Sequence, residues 1–124
     1  MIVKDLGKTS TGIEANVAGL LSYVLGWVTG LIFFLIEKEN KFVRFHAMQS
    51  MIVFGGLFVL LMAVGMLMTA FFMMHIYFLT PVFTLLNTLI ILAGAVLWIL
   101  LMVKAFMGEK FKLPVIGDIA EKTI

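Results

Sequence analysis

Charged islands alternate with long apolar stretches along this chain. Between Glu14 and Glu37 lie 22 uncharged residues, Ala15 to Ile36, and between Arg44 and Lys104 lie 59, Phe45 to Val103. A spanning helix needs roughly 20 apolar residues. The first stretch therefore fits one crossing, and the second fits two. The second breaks naturally between His75 and Pro81. Tyr77 there favours the headgroup level, and Pro81 suits the first turn of a new helix. The pattern predicts an all-α integral membrane protein in a single domain over residues 1–124. Its three transmembrane helices, at about 15–36, 47–74 and 81–103, form a small bundle.

Small residues refine the expected packing. Ala18, Ser22, Gly26 and Gly30 recur every four positions and lie along one helix face. Gly26 and Gly30 form a GxxxG, which lets helix backbones approach closely in lipid. Packing inside the bundle is one reading of it, and a homodimer face is the other. Span two carries Gln49, Gly56, Ala63 and Ala70 seven apart, and span three carries Thr80, Asn87 and Gly94 likewise. Asn87 fits an interhelical hydrogen bond or the lining of a polar path. Thr11 with Glu14 matches a capping box, so span one is expected to start just after Thr11. Val115, Ile116, Ile119 and Ala120 recur at helical spacing and predict a short C-terminal helix on the membrane interface.

Composition agrees with the pattern. Hydrophobic residues make up 63% of the chain and charged ones 13%, against about 25% charged in soluble domains. Mean hydropathy is +1.17. A soluble enzyme domain, a disordered chain and a disulfide-stapled module are excluded. There is no cysteine, so thiolate metal sites and Cys nucleophiles are excluded too. The first apolar run reads as a retained anchor rather than a cleaved signal. With three spans, Lys38, Lys41 and Arg44 share a side with Lys104, Lys110, Lys112 and Lys122, against Lys4 and Lys8 opposite. The positive-inside rule then puts the N-terminus outside and the C-terminus in the cytoplasm, and the expected location is the plasma membrane. Residues 1–14 become an external lead-in, 37–46 a cytoplasmic basic loop and 104–124 a cytoplasmic amphipathic tail. The modest excess of positive charge suits anionic lipid headgroups rather than nucleic acid.

The densest candidate chemistry is Arg44, His46, Gln49 and Ser50, where the loop enters span two. His46, Gln49 and Ser50 share a helix face. They read either as an interface anchor, satisfying lipid phosphate and loop carbonyls, or as a polar cluster for a headgroup, proton or partner. Lys110 and Lys112 extend the candidate surface into the tail. Catalysis is not expected: no acid pairs with His46 by spacing, although Glu37 or Glu39 could fold back, and Ser50 lacks a nucleophile-elbow context. No cofactor is implied. Met62 and Met66 form an MxxxM, and thioethers are soft ligands suited to copper(I); they are the weak metal candidates.

The stretch Asn40-Lys41-Phe42-Val43-Arg44-Phe45-His46-Ala47-Met48-Gln49-Ser50 resembles the signature of a family of small, uncharacterised prokaryotic membrane proteins. The tail Gly108-Glu109-Lys110-Phe111-Lys112-Leu113-Pro114-Val115-Ile116-Gly117 is similar to that family, as is the opening Thr11-Gly12-Ile13-Glu14-Ala15-Asn16 with Leu20-Leu21-Ser22-Tyr23. The family resembles, distantly, the twenty-kilodalton component of the chloroplast inner-envelope protein import translocon. The resemblance implies a helical membrane protein and, remotely, a link to polypeptide passage.

The leading expectation is a non-enzymatic scaffold or accessory subunit of a membrane assembly, with lipid, a membrane-protein partner or a second copy as partner. The alternative is a small-ion channel or transporter, for example for copper, formed by an oligomer.

Overall fold

A computed structural model describes residues 5–124. They form five α-helices: α1 (Ala15–Val24), α2 (Trp27–Ile36), α3 (Lys41–Met73), α4 (Thr80–Phe106) and α5 (Ile116–Thr123). No strand occurs among the described residues. The all-α expectation holds. Three spanning helices do not form: among the described residues only α3 and α4 are long and apolar enough to cross a membrane.

The reason lies at Gly26. Its φ of 64° and ψ of −133° are essentially glycine-only, and they divide the 22-residue apolar block into two helices. The chain then turns back on itself. A Cβ at Gly19 would sit 3.1 Å from Phe42, one at Gly26 would sit 3.3 Å from Phe54, and one at Gly30 would sit 2.9 Å from the Ala47 carbonyl. Beyond that, Arg44 reaches the Phe34 carbonyl at 3.0 Å. The chain thus runs along α3 from Phe42 to Phe54 and returns to Arg44. At ten residues each, α1 and α2 are about 15 Å long, half of a ~30 Å hydrocarbon core.

A backbone break inside a lipid phase is tolerated only where its polar groups find partners in the protein. Here they do. Trp98 Nε1 donates to the Tyr23 carbonyl at 2.7 Å, and Ser50 Oγ donates to the Gly26 carbonyl at 2.8 Å. The Leu25 N–H donates to Thr29 Oγ1 at 3.1 Å. Trp98→Phe keeps the ring and removes the donor. The Tyr23 carbonyl keeps the Gly26 N–H at 2.9 Å, so stability should fall by about 0.5–1.5 kcal/mol, the net worth of one hydrogen bond. Denaturant unfolding in detergent micelles measures this, and an unchanged midpoint would refute the role of the indole.

The small-residue row performs two tasks rather than one. Ala18, Ser22 and Gly30 are buried, and Ser22 Oγ donates to the Ala18 carbonyl at 2.9 Å. Gly26 is the hinge, not a ridge of a continuous helix. The seven-residue seam on α3 continues only from Gln49 to the next turn: Gly56 and Ala63 are exposed, whereas Val53 and Val64 are buried. A straight helix drifts about 20° per seven residues, which carries that seam off the contact face. On α4, Gly94 lies against Leu57, and Asn87 Oδ1 is buried without a hydrogen-bond partner.

Helix ends differ from expectation in two places. Thr11 and Glu14 form no capping box. Thr11 Oγ1 instead accepts from the Ile13 N–H in a local turn, and Glu14 precedes α1 with no side-chain bond. Helix α3 begins at Lys41, because Asn40 Oδ1 accepts from the Val43 N–H at 3.1 Å as an N-cap. Pro81 lies in the first turn of α4 as expected.

One end of the bundle gathers nearly all the polar chain. The Ser10 N–H donates to Glu37 Oε2 at 2.8 Å, and Asn40 Nδ2 donates to the Leu6 and Lys8 carbonyls at 2.9 and 3.0 Å. Asn16 Nδ2 donates to the Phe106 carbonyl at 3.1 Å. The lead-in, the loop at 37–40 and the start of the tail therefore sit together, because the hinge returns the chain to the end it started from. Lys4, counted above with the lead-in, lies outside the described residues. Among the described residues the far end holds only the Met74–Leu79 turn between α3 and α4.

Candidate functional site: a buried polar lock on the tail

The residues singled out on α3 converge, but inward. His46, Gln49 and Ser50 are all fully buried. Tyr23 of α1, also buried, places its hydroxyl 2.7 Å from His46 Nδ1 and 3.0 Å from Gln49 Nε2. His46 Nε2 lies 2.9 Å from the Glu109 carbonyl. A carbonyl only accepts, so Nε2 carries the proton and Nδ1 accepts from the tyrosine; the tautomer follows from the network. Gln49 spends its second amide hydrogen on the Phe111 carbonyl at 2.9 Å, and its Oε1 accepts from the Leu113 N–H at 3.1 Å. Each strong donor and acceptor in the chain Gln49–Tyr23–His46 has a partner.

The tail is what this network holds. Residues 109–113 lie along α3 with Glu109, Phe111 and Leu113 each bonded through the backbone. Phe111 and Leu113 pack against the apolar cluster of Tyr23, Leu101 and Ala105. Three aromatic rings stand edge-on around the imidazole: Phe42, Phe45 and Tyr23, at centroid distances of 4.6, 5.2 and 5.4 Å. Such a site suits a fixed neutral ring and leaves no room for a substrate. After Leu113 the chain turns through Val115, at φ 66°, into α5. A Cβ on Gly117 would sit 2.7 Å from the Lys112 Cα, so only glycine permits this close return.

Arg44 and Ser50 have internal partners as well. Arg44 Nη1 donates to the carbonyls of Phe34 and Glu37 at 3.0 and 2.7 Å, and its guanidinium lies 4.1 Å from the centre of the Phe34 ring. It thereby caps the C-terminus of α2. Ser50 serves the hinge. Lys110 and Lys112 are exposed and share Glu121 of α5, each at 2.7 Å. Met62 and Met66, exposed at 54% and 69%, face outward along α3.

Glu37, weighed from the sequence only as an acid that could fold back on His46, serves the lead-in and the loop instead. Its Oε2 accepts from the N–H groups of Ser10, Asn40 and Glu39 at 2.8, 3.1 and 3.2 Å. Burial pushes this carboxyl up, but the donors of Ser10, Asn40 and Glu39 outweigh it and hold it below the usual carboxylate range. Tyr23 and Trp98 were missed because an aromatic in an apolar run carries no mark of its hydrogen-bond partner. Asn40 was open to detection as an Asn just before a helix.

The hydrogen bonds from Lys110 and Lys112 push the Glu121 carboxyl down from 4.5 to about 2. A depressed carboxylate stabilises the fold above its unfolded value and loses that contribution as pH falls toward the folded one. The tail–α5 clamp should therefore loosen between about pH 4.5 and about pH 2. A carboxyl NMR titration of Glu121, read beside amide exchange in α5, tests this. A midpoint at the ordinary value would remove the clamp.

A helical membrane protein with two long apolar helices, a broken apolar hairpin and an internally locked tail is the class these features define. The chain belongs to the magnetosome magnetite crystal formation protein family, whose model matches residues 8–120. It is 48% identical over 117 residues to the UPF0132 membrane protein MJ1443 of Methanocaldococcus jannaschii, covering 94% of each chain. It is 44% identical over 112 residues to a UPF0132 membrane protein of Archaeoglobus fulgidus, covering 90% of this chain and 97% of that one. A second Methanocaldococcus jannaschii protein, MJ1527, is 42% identical over 112 residues, covering 90% of this chain and 71% of that one. No solved structure matches the chain. None of these relatives is described as a translocon component, and none as an enzyme.

Proposed function

We propose that the protein is a non-enzymatic membrane scaffold whose charged end rests on anionic lipid headgroups. One observation supports this above the others. From Lys8 onward, every Lys and Arg lies at the end of the bundle that holds the lead-in, the 37–40 loop and the tail, while the Met74–Leu79 turn carries none. By the positive-inside rule that end is cytoplasmic. The N-terminus then lies inside together with the C-terminus, in contrast to the three-span expectation. Lys38 and Lys41 are exposed beside the headgroup level, where each basic residue near an anionic surface is worth about 1 kcal/mol.

The inward-facing lock supports the same reading from another side. His46, Gln49 and Ser50 are consumed in holding the tail and the hinge, so the cluster offers structure rather than chemistry. The family description links members to magnetite crystal formation in magnetosomes. For this chain the reading takes from it a membrane-embedded, organising role. Translocation and ion passage do not enter it.

Native mass spectrometry of gently extracted protein tests the proposal. Anionic lipid should be retained in preference to neutral lipid, and Lys38→Gln with Lys41→Gln should cut that retention severalfold. Equal retention of both lipid classes would overturn it.

A further inference from the structure

The helices are distributed unequally along the membrane normal. At the charged end, α1, α2, α3 and α4 stand side by side, with the tail against α3. The hairpin ends where Gly26 meets Phe54 on α3 and where Trp98 of α4 bonds the Tyr23 carbonyl. Beyond that level only α3 and α4 continue. Two observations put the hairpin within lipid rather than above it. Its outer face is apolar and exposed, at Leu31, Ile32, Leu35 and Ile36. Its hinge groups are paired internally by Trp98, Ser50 and Thr29, as a water-free setting demands.

We infer that the protein is a membrane wedge, which widens the leaflet at its charged end and both favours and stabilises membrane convex on that side. The extra area is that of two helices of about 10 Å diameter, roughly 160 Å². The opposite leaflet receives no matching insertion. Ahead of the hairpin tip lies an open apolar cleft of about 380 Å³ lined by Leu25, Trp27, Leu61 and Ile91, a volume suited to lipid chains of the opposite leaflet rather than to protein. A protein that fits convex membrane better than flat membrane has a differential affinity for it. It must then accumulate there, by that differential and no more. The inference goes beyond the scaffold reading, since it needs no anionic lipid.

The test uses the full chain, fluorescently labelled and reconstituted into giant vesicles of neutral phosphatidylcholine. Narrow tethers are pulled from vesicles in which a protease step has established that the charged end faces outward. Density on the tether should exceed that on the flat membrane about twofold or more. In vesicles with the charged end inward, the protein should be depleted from the tether. The reversal is an internal control that does not rely on any variant folding. Equal density on tether and vesicle, or the same sign in both orientations, overturns the wedge. Loss of anionic-lipid preference would overturn the scaffold reading and leave this result untouched.

Discussion

Gln49→Leu is expected to release the tail. The substitution keeps the size and removes three hydrogen bonds, to Tyr23, Phe111 and Leu113. The Phe111 carbonyl and Leu113 N–H would be orphaned beside an apolar cluster. Each orphan costs about 1–3 kcal/mol, so the combined loss reaches several kcal/mol, a large share of a typical fold stability. The tail should swing out before α3 and α4 separate, because those helices do not depend on Gln49. Hydrogen exchange at residues 109–113 should rise by orders of magnitude, and protease should cut after Gly108 with the helical core intact. His46→Phe should act in the same direction and more weakly, since it breaks only the bonds to Tyr23 and Glu109. Wild-type protection of the tail in Gln49→Leu would remove the lock as an account of the site.

Gly26→Leu has the second large expected effect, and it acts on topology. A leucine cannot hold φ 64° and ψ −133° without strain of about 1–3 kcal/mol, and its Cβ would press on Phe54 at 3.3 Å. The same substitution favours helix at the break, where glycine costs about 1 kcal/mol relative to good helix formers. The block Ala15–Ile36 has the length of a complete crossing. The straightened helix would carry the N-terminus to the far side of the membrane. A reporter before residue 5 should report the side of the C-terminus in the wild type and the opposite side in a substantial fraction of Gly26→Leu. Retention of the wild-type side, with unchanged stability, would show that the hinge does not depend on glycine.

That prediction also marks what the sequence made legible. The helical class, the break near Pro81 and the short helix near Ile119 follow from hydropathy and spacing. Both long helices were visible because uncharged runs of their length have few alternatives. The first block was misread, because hydropathy measures how willing a segment is to enter lipid. It does not say whether 22 such residues cross once or enter and return. The difference rests on one torsion at Gly26 and on donors at Ser50 and Trp98, far along the chain. The charge count carried an unused hint. With the lead-in moved to the basic end, the imbalance of Lys and Arg sharpens from seven against two to the described cations on one end alone.

The candidate site was half legible for a similar reason. His46, Gln49 and Ser50 were found as a shared face, and the structure brings all three into the interior. What could not be read was their partner, since backbone carbonyls of the tail leave no signature in residue type. Lys110 and Lys112 were read as a basic surface. Glu121, eleven and nine residues further on, partly neutralises both.

The hinge also sets an order for biosynthesis. The apolar hairpin leaves the ribosome before Ser50 and Trp98, which add the hydrogen bonds from α3 and α4 to its hinge. The newborn hairpin therefore lacks those two bonds and is held less firmly until α4 is inserted. It then locks beside the two long helices, and the tail closes over Gln49 afterwards. Assembly is thus completed by the tail. A chain truncated within the tail should reach the membrane, yet remain ajar.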